Sequence, residues 1–162
     1  MNESYIEING WNAHIRFSSA HIIPEYEKCG RLHGHTYAIQ AKIKGTPDEK
    51  GIIADFSIIK EILRQIANSL DHKILIPKDS TVVNIINEKK QITVNSLGKT
   101  YVFPKNDCIL LPIESTSAEN LSAYIIDRFI TLFQPENNIA QIEIGVDEGF
   151  GQGARVIQHM NK

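Results

Sequence analysis

The sequence predicts an α+β fold: an antiparallel sheet with two helices packed on one face. Two observations carry that expectation. Residues 11–22, 33–45 and 140–146 alternate apolar and polar side chains at the two-residue period of a half-buried strand. Residues 56–70 and 116–133 instead repeat their apolar side chains at helical spacing. The element order is strand, strand, helix, inserted strands, helix, strand, strand, which segregates helices from an antiparallel sheet. With 162 residues, 42% of them hydrophobic and 22% charged, the chain reads as one domain, 1–162, long enough for a sizeable core.

Composition narrows the function classes. A net charge of −2 argues against general nucleic-acid binding, which requires a basic surface. No apolar run approaches the roughly 18 residues of a membrane span, and the N-terminus does not read as a signal peptide. The two cysteines, Cys29 and Cys108, lie too far apart in the chain to suggest a disulfide framework. The expectation is a cytoplasmic protein with neither membrane nor nucleic-acid partner.

Taken in order, residues 4–9 form a short start ending at the Asn9-Gly10 turn signal. Between 11 and 22, Ala13, Ile15, Phe17, Ser19 and His21 share one face of a strand, and His14, Arg16 and Ser18 the other. Residues 24–30 are a loop. A long second strand, 33–45, places Tyr37, Ile39, Ala41 and Ile43 on one face. After the Pro47-Asp48 turn, Asp55 is the expected N-cap of a helix whose stripe is Phe56, Ile59, Leu63, Ile66, Ala67 and Leu70. Residues 77–109 read as an inserted hairpin or meander, with strands near 81–86, 91–94 and 100–103, expected at the rim of an oligomer. Cys108 sits in an apolar run and reads as a buried, inert thiol. Thr116 with Glu119 forms a capping-box pattern before the second helix, in which Leu121, Ile125, Phe129 and Leu132 point inward. Strands near 140–146 and 155–159 close the chain around a Gly-rich loop. That loop lacks the spacing of a dinucleotide fingerprint.

The chemistry concentrates in Phe17-Ser18-Ser19-Ala20-His21 and Cys29-Gly30-Arg31-Leu32-His33-Gly34-His35, which hold three of the six histidines. Strand alternation projects His33 and His35 from one face, and a hairpin with the preceding strand would bring His21 to them. Three imidazoles with an open position are the ligand set of a catalytic zinc site. His14 falls on the opposite face and is left out. Cys29 is a candidate fourth ligand or, beside a metal, a base, because a nearby cation favours the thiolate. Asp71-His72 closes the first helix, where a histidine also suits the helix dipole.

The F-S-S-A-H run followed by C-G-R-L-H-G-H resembles the 6-pyruvoyl-tetrahydropterin synthase family. The Cys-x3-His-Gly-His spacing is most similar to its 6-carboxy-tetrahydropterin synthase branch, of the queuosine and archaeosine precursor pathway. The resemblance implies the tunnelling fold (T-fold), whose units join into an oligomeric β-barrel, and hence a homo-oligomer, a hexamer. It implies Zn2+ on His21, His33 and His35, a catalytic group of Cys29, Asp71 and His72 (the last two from an L-D-H signature), and Glu148 as the carboxylate anchoring a pterin. Ser117 and Glu119 align with a hydroxyl-rich run that looks like part of the pterin pocket, contributed by a neighbouring subunit, although Ala118 replaces a hydroxyl residue common there. Gly149 and Phe150 likewise depart from the family's Thr-Pro. The implied reaction converts 7,8-dihydroneopterin triphosphate to 6-carboxy-5,6,7,8-tetrahydropterin, acetaldehyde and triphosphate. The alternatives are 6-pyruvoyl-tetrahydropterin formation or an aldolase-type cleavage on the same fold, and a non-catalytic zinc-binding scaffold. A cupin-like metal enzyme fits less well, because two helices interrupt the strands.

Overall fold

The computed structural model describes residues 4–24 and 26–160; Glu25, within the predicted 24–30 loop, lies outside them. The elements are β1 (Ser4–Ile8), β2 (Arg16–His21), β3 (His33–Gly45), α1 (Phe56–Leu70), β4 (Lys73–Pro77), β5 (Asn84–Asn87), β6 (Gln91–Ser96), β7 (Lys99–Pro104), β8 (Cys108–Leu111), α2 (Ala118–Phe133), β9 (Ile139–Glu148) and β10 (Gly153–His159). The main sheet runs β10-β9-β3-β2-β4-β8, with β1 also paired to β3. Four of its pairings are antiparallel, as the alternation predicts. The other two, β2 with β4 and β4 with β8, are parallel, so the sheet is mixed.

The strand predicted over 11–22 starts only at Arg16. The chain first turns through Asn9 to Ile15, with Ala13 N–H donating to Asn9 O and Ile15 N–H to Gly10 O. Gly10 lies against the Ile39 carbonyl, 2.1 Å from where a Cβ would stand. A side chain there would push the turn off β3. His14 adopts φ 55° and its Nδ1 bonds Arg16, outside the histidine cluster.

The apolar stripes of α1 and α2 meet β2, β3 and β9 in one core that includes Phe17, Tyr37, Ile59, Leu63, Leu121, Ile125, Phe129 and Ile144. Burial of such side chains drives the packing, and truncating one to alanine costs about 2–5 kcal/mol. Two predicted stripe residues fall at its margin: Phe56 and Leu132 are exposed. Asp55 caps α1 as expected, accepting from Ser57 N–H at 2.6 Å. The α2 cap is Ser117 rather than Thr116. Thr116 is buried, and its hydroxyl donates to Ile22 O instead.

The insertion is a separate three-stranded antiparallel sheet, β5-β6-β7. Its inner face forms a second core with Ile22 and Ile76: Val83, Ile92 and Val94 are buried there, with Tyr101, Phe103 and Cys108 against them. Cys108 is half-buried at the start of β8, less enclosed than the sequence predicts, and its thiol faces the Pro104 carbonyl at 3.5 Å. Burial, with Asp107 beside it, pushes that thiol above its ordinary range against the opposing pull of Lys73.

Candidate metal centre

The β2–β3 hairpin sets the site. Ser19 pairs with His35 and His21 with His33 across the two strands, so all three histidines project from the face that carries Phe17 and Tyr37. Gly34, between the two histidines, leaves room for β2: a Cβ there would lie 2.8 Å from the Ser19 carbonyl. One donor atom from each of His21, His33 and His35 falls within 4.8 Å of the others, and His21 is fully buried.

The hydrogen bonds fix which nitrogens face inward. His21 Nδ1 bonds the Thr116 carbonyl at 3.0 Å and His33 Nδ1 the Arg31 carbonyl at 2.7 Å. A carbonyl only accepts, so both Nδ1 atoms carry a proton, and in the neutral rings that bind a metal both Nε2 atoms present lone pairs. Those Nε2 atoms stand 3.1 Å apart. Two neutral rings in that arrangement repel; a cation between them removes the conflict. Orientation of a ligand histidine through a bond from its other nitrogen is the usual support of a metal site. Burial, then the neighbouring His33 and His35, lowers the His21 pKa to about 4 against the raising effect of Thr116. The ring is thus held in the neutral form that a metal needs. The donor set fits a divalent cation with one position left open.

Asp71 and His72 lie beside this hairpin. Asp71 Oδ1 accepts from Ser18 N–H at 2.7 Å, and His72 N–H donates to Ser18 O at 2.7 Å. Asp71 Oδ2 holds His72 Nδ1 at 2.8 Å. Burial alone would raise the Asp71 carboxyl; the bonds from Ser18 and His72 outweigh it and hold it below its ordinary range. His72 itself is exposed, at φ 55°, and shares an open groove of about 580 Å³ with His35, Thr36 and Lys73. The half-buried Cys29 is not in the histidine cluster, and among the described residues no hydrogen bond joins its thiol to Asp71 or His72.

Glu148 ends β9, directly opposite Tyr37 on β3. Its Oε1, the Tyr37 hydroxyl and the Ser115 hydroxyl are buried with no partner among the described residues. Burial, with Glu148 nearby, pushes the Tyr37 hydroxyl well above its ordinary range. Ser117 spends its hydroxyl on the α2 cap, and Glu119 is exposed in the first turn. The sequence reading missed the groups that support these residues. Thr116 orients His21. Asp147 gathers Trp11 Nε1 at 3.0 Å, Gln40 Nε2 at 2.7 Å and Arg155 at 2.7 Å under the Gly-rich loop. Trp11 in turn stacks on Phe150 of that loop, with ring centroids 4.1 Å apart. The only sequence sign of that contact is the Phe150 departure itself.

Comparison with known proteins gives a consistent result. Residues 12–157 match the family described as 6-pyruvoyl tetrahydropterin synthase. A Methanocaldococcus jannaschii protein provisionally named 6-carboxy-5,6,7,8-tetrahydropterin synthase is 41% identical over 154 residues, covering 92% of this chain and 93% of that protein. The 6-carboxy-5,6,7,8-tetrahydropterin synthase of Rickettsia conorii is 28% identical over 127 residues, covering 76% of this chain and 82% of its own. The 6-pyruvoyl tetrahydropterin synthase of Plasmodium falciparum superposes with a TM-score of 0.88 at 32% identity, covering 99% of this chain and all of that one. The histidine hairpin, the T-fold sheet and these matches agree: the chain belongs to the 6-pyruvoyl tetrahydropterin synthase family.

Proposed function

We propose that this protein is a metal-dependent lyase acting on 7,8-dihydroneopterin triphosphate, and specifically a 6-carboxy-5,6,7,8-tetrahydropterin synthase. The observation that carries the metal-dependent reading is the pair of Nε2 atoms at 3.1 Å, each fixed by a carbonyl behind it. The branch assignment rests on the Cys29-to-His33 spacing and on the relative that is 41% identical.

His21, His33 and His35 would hold zinc. When bound, such an ion supplies Lewis acidity toward the substrate's side-chain oxygens. Cys29, in the loop between His21 and His33, takes a proton from the substrate side chain as general base. Asp71 keeps His72 oriented through the 2.8 Å bond, so that His72 can accept or return a proton at its other ring nitrogen. Glu148 accepts two hydrogen bonds from the amino-pyrimidine edge of the pterin, a bidentate arrangement suited to a carboxylate. Ser117 and Glu119 contribute further contacts to the pterin bound by a neighbouring subunit, as the family resemblance implies. The main sheet leaves β10 and β8 as edges within the chain. Joining such edges between copies closes a barrel and removes them, which supports a homo-oligomer. A hexamer is the size the family resemblance implies, and the cytoplasm remains the location expected from the sequence.

Formation of 6-pyruvoyl-tetrahydropterin is the second reading, favoured by the 0.88 superposition on the Plasmodium falciparum enzyme of that name. Product identification separates the two. Zinc-loaded protein is incubated with 7,8-dihydroneopterin triphosphate, with Cys29→Ala beside it, and the products are weighed by mass spectrometry. Acetaldehyde and 6-carboxy-tetrahydropterin from the wild type alone support the proposal. A pyruvoyl product moves the chemistry to the sibling reaction. Zinc binding without turnover of any dihydropterin returns the protein to the scaffold class.

A further inference from the structure

The inserted meander reaches the loop that carries Cys29. Ser96 pairs with Lys99, leaving Leu97 and Gly98 as the two-residue turn between β6 and β7. Both adopt positive φ, 50° and 71°. A turn of this kind strongly favours Asn-Gly, because a leucine in the left-handed region crowds its own backbone. Here the first position is leucine. A residue that breaks local turn chemistry points to a demand from elsewhere in the molecule.

That demand is visible at Gly30, the residue after Cys29. Leu97 Cδ1 lies 2.4 Å from where a Gly30 Cβ would stand, so the leucine rests directly on the glycine backbone. The Tyr26 carbonyl closes the other side, accepting from Gly30 N–H at 2.6 Å. At its other end the same loop begins with Ile22, which is buried in the meander's own core beside Ile92 and Val94. The loop between His21 and His33 is therefore gripped twice by one insertion.

We propose that the 77–109 meander is a positioning device for the Cys29 loop, with Leu97 as the residue that seats it. The contact itself is geometric; its consequence for turnover rests on the function proposed above. Substituting Leu97→Asn separates positioning from mere stability, because it improves the turn chemistry while removing the contact. Leu97→Met keeps an apolar side chain of similar reach.

The test measures three quantities on the zinc-loaded full chain. These are thermal midpoint, amide exchange over residues 26–31, and the rate of iodoacetamide modification of Cys29, resolved from Cys108 by peptide mass spectrometry. Leu97→Asn is expected to keep or raise the midpoint, to speed exchange in 26–31, and to change the Cys29 modification rate several-fold; Leu97→Met stays near wild type. In turnover, kcat falls while KM moves less. Unchanged exchange and modification in Leu97→Asn overturn the proposal, whatever happens to activity. Altered exchange and modification with unchanged kcat uphold the positioning and instead remove Cys29 from the catalytic group.

Discussion

Tyr37 and Glu148 face each other across β3 and β9, and each buries a polar atom that has no partner among the described residues. A buried polar group left unpaired costs about 1–3 kcal/mol. The cost is tolerable where a ligand supplies the missing partner, and Tyr37 borders the histidine cluster, in ring contact with His21 and His35. Tyr37→Phe is therefore expected to leave the ligand-free protein as stable as wild type, or slightly more so. Pterin binding should weaken by roughly fivefold, the worth of about one hydrogen bond. Thermal unfolding and calorimetric titration read the two effects separately. A variant that loses stability and keeps its affinity contradicts the idea.

Metal binding should appear as stability. A cation that binds only the folded chain adds about 2.7 kcal/mol when present at 100 times its Kd. Zinc is thus expected to raise the thermal midpoint of the wild type and to leave that of His33→Ala unmoved. An equal rise in both proteins places the ion elsewhere.

The buried His21 gives the metal-free protein a definite pH response. Its pKa is lowered from 6.5 to about 4 in the folded chain, so between those values the unfolded chain binds more protons. Stability is fully present above about pH 6.5 and declines as the pH falls toward 4, by an amount on the order of 3 kcal/mol. Urea unfolding of chelator-treated wild type and His21→Gln across that window checks the slope. The wild type should show the steeper loss on acidification.

Asp147 points away from Glu148, its neighbour in the strand, and ties Trp11, Gln40 and Arg155 to the loop. Removing it in Asp147→Ala is expected to cost about 1.5–3 kcal/mol, the range for hydrogen bonds to a charged group. Trp11 is the single tryptophan and stacks on Phe150, so its fluorescence reports the loop directly. A red-shifted emission should accompany the loss. Unshifted emission means that the stack survives without Asp147.

What could be read from the sequence was set by local periodicity. The His33-x-His35 alternation, the Asp55 cap and the α1 stripe from Ile59 to Leu70 each depend on neighbours within a turn or a strand, and each recurs in the structure. β4 and β8 were illegible because their short apolar runs do not alternate, as expected for strands covered on both faces. The cap of α2 moved from Thr116 to Ser117 through contacts 94 and 95 residues away, to Ile22 and His21. The Asp147 hub likewise joins residues as far as 136 apart, which no spacing rule can anticipate. Cys29, Asp71 and His72 are recognisable as motif residues, yet among the described residues a hydrogen bond joins only the last two.

The central claim is that three histidines hold one metal ion on which pterin chemistry depends. Zinc content and turnover of 7,8-dihydroneopterin triphosphate, measured on the same preparations of wild type and His35→Ala, address it most directly. The account predicts about one ion per chain and product formation in the wild type, with both lost in a variant whose circular dichroism is unchanged. Full turnover by wild-type protein stripped of metal, or a metal-loaded His35→Ala with undiminished activity, would contradict it.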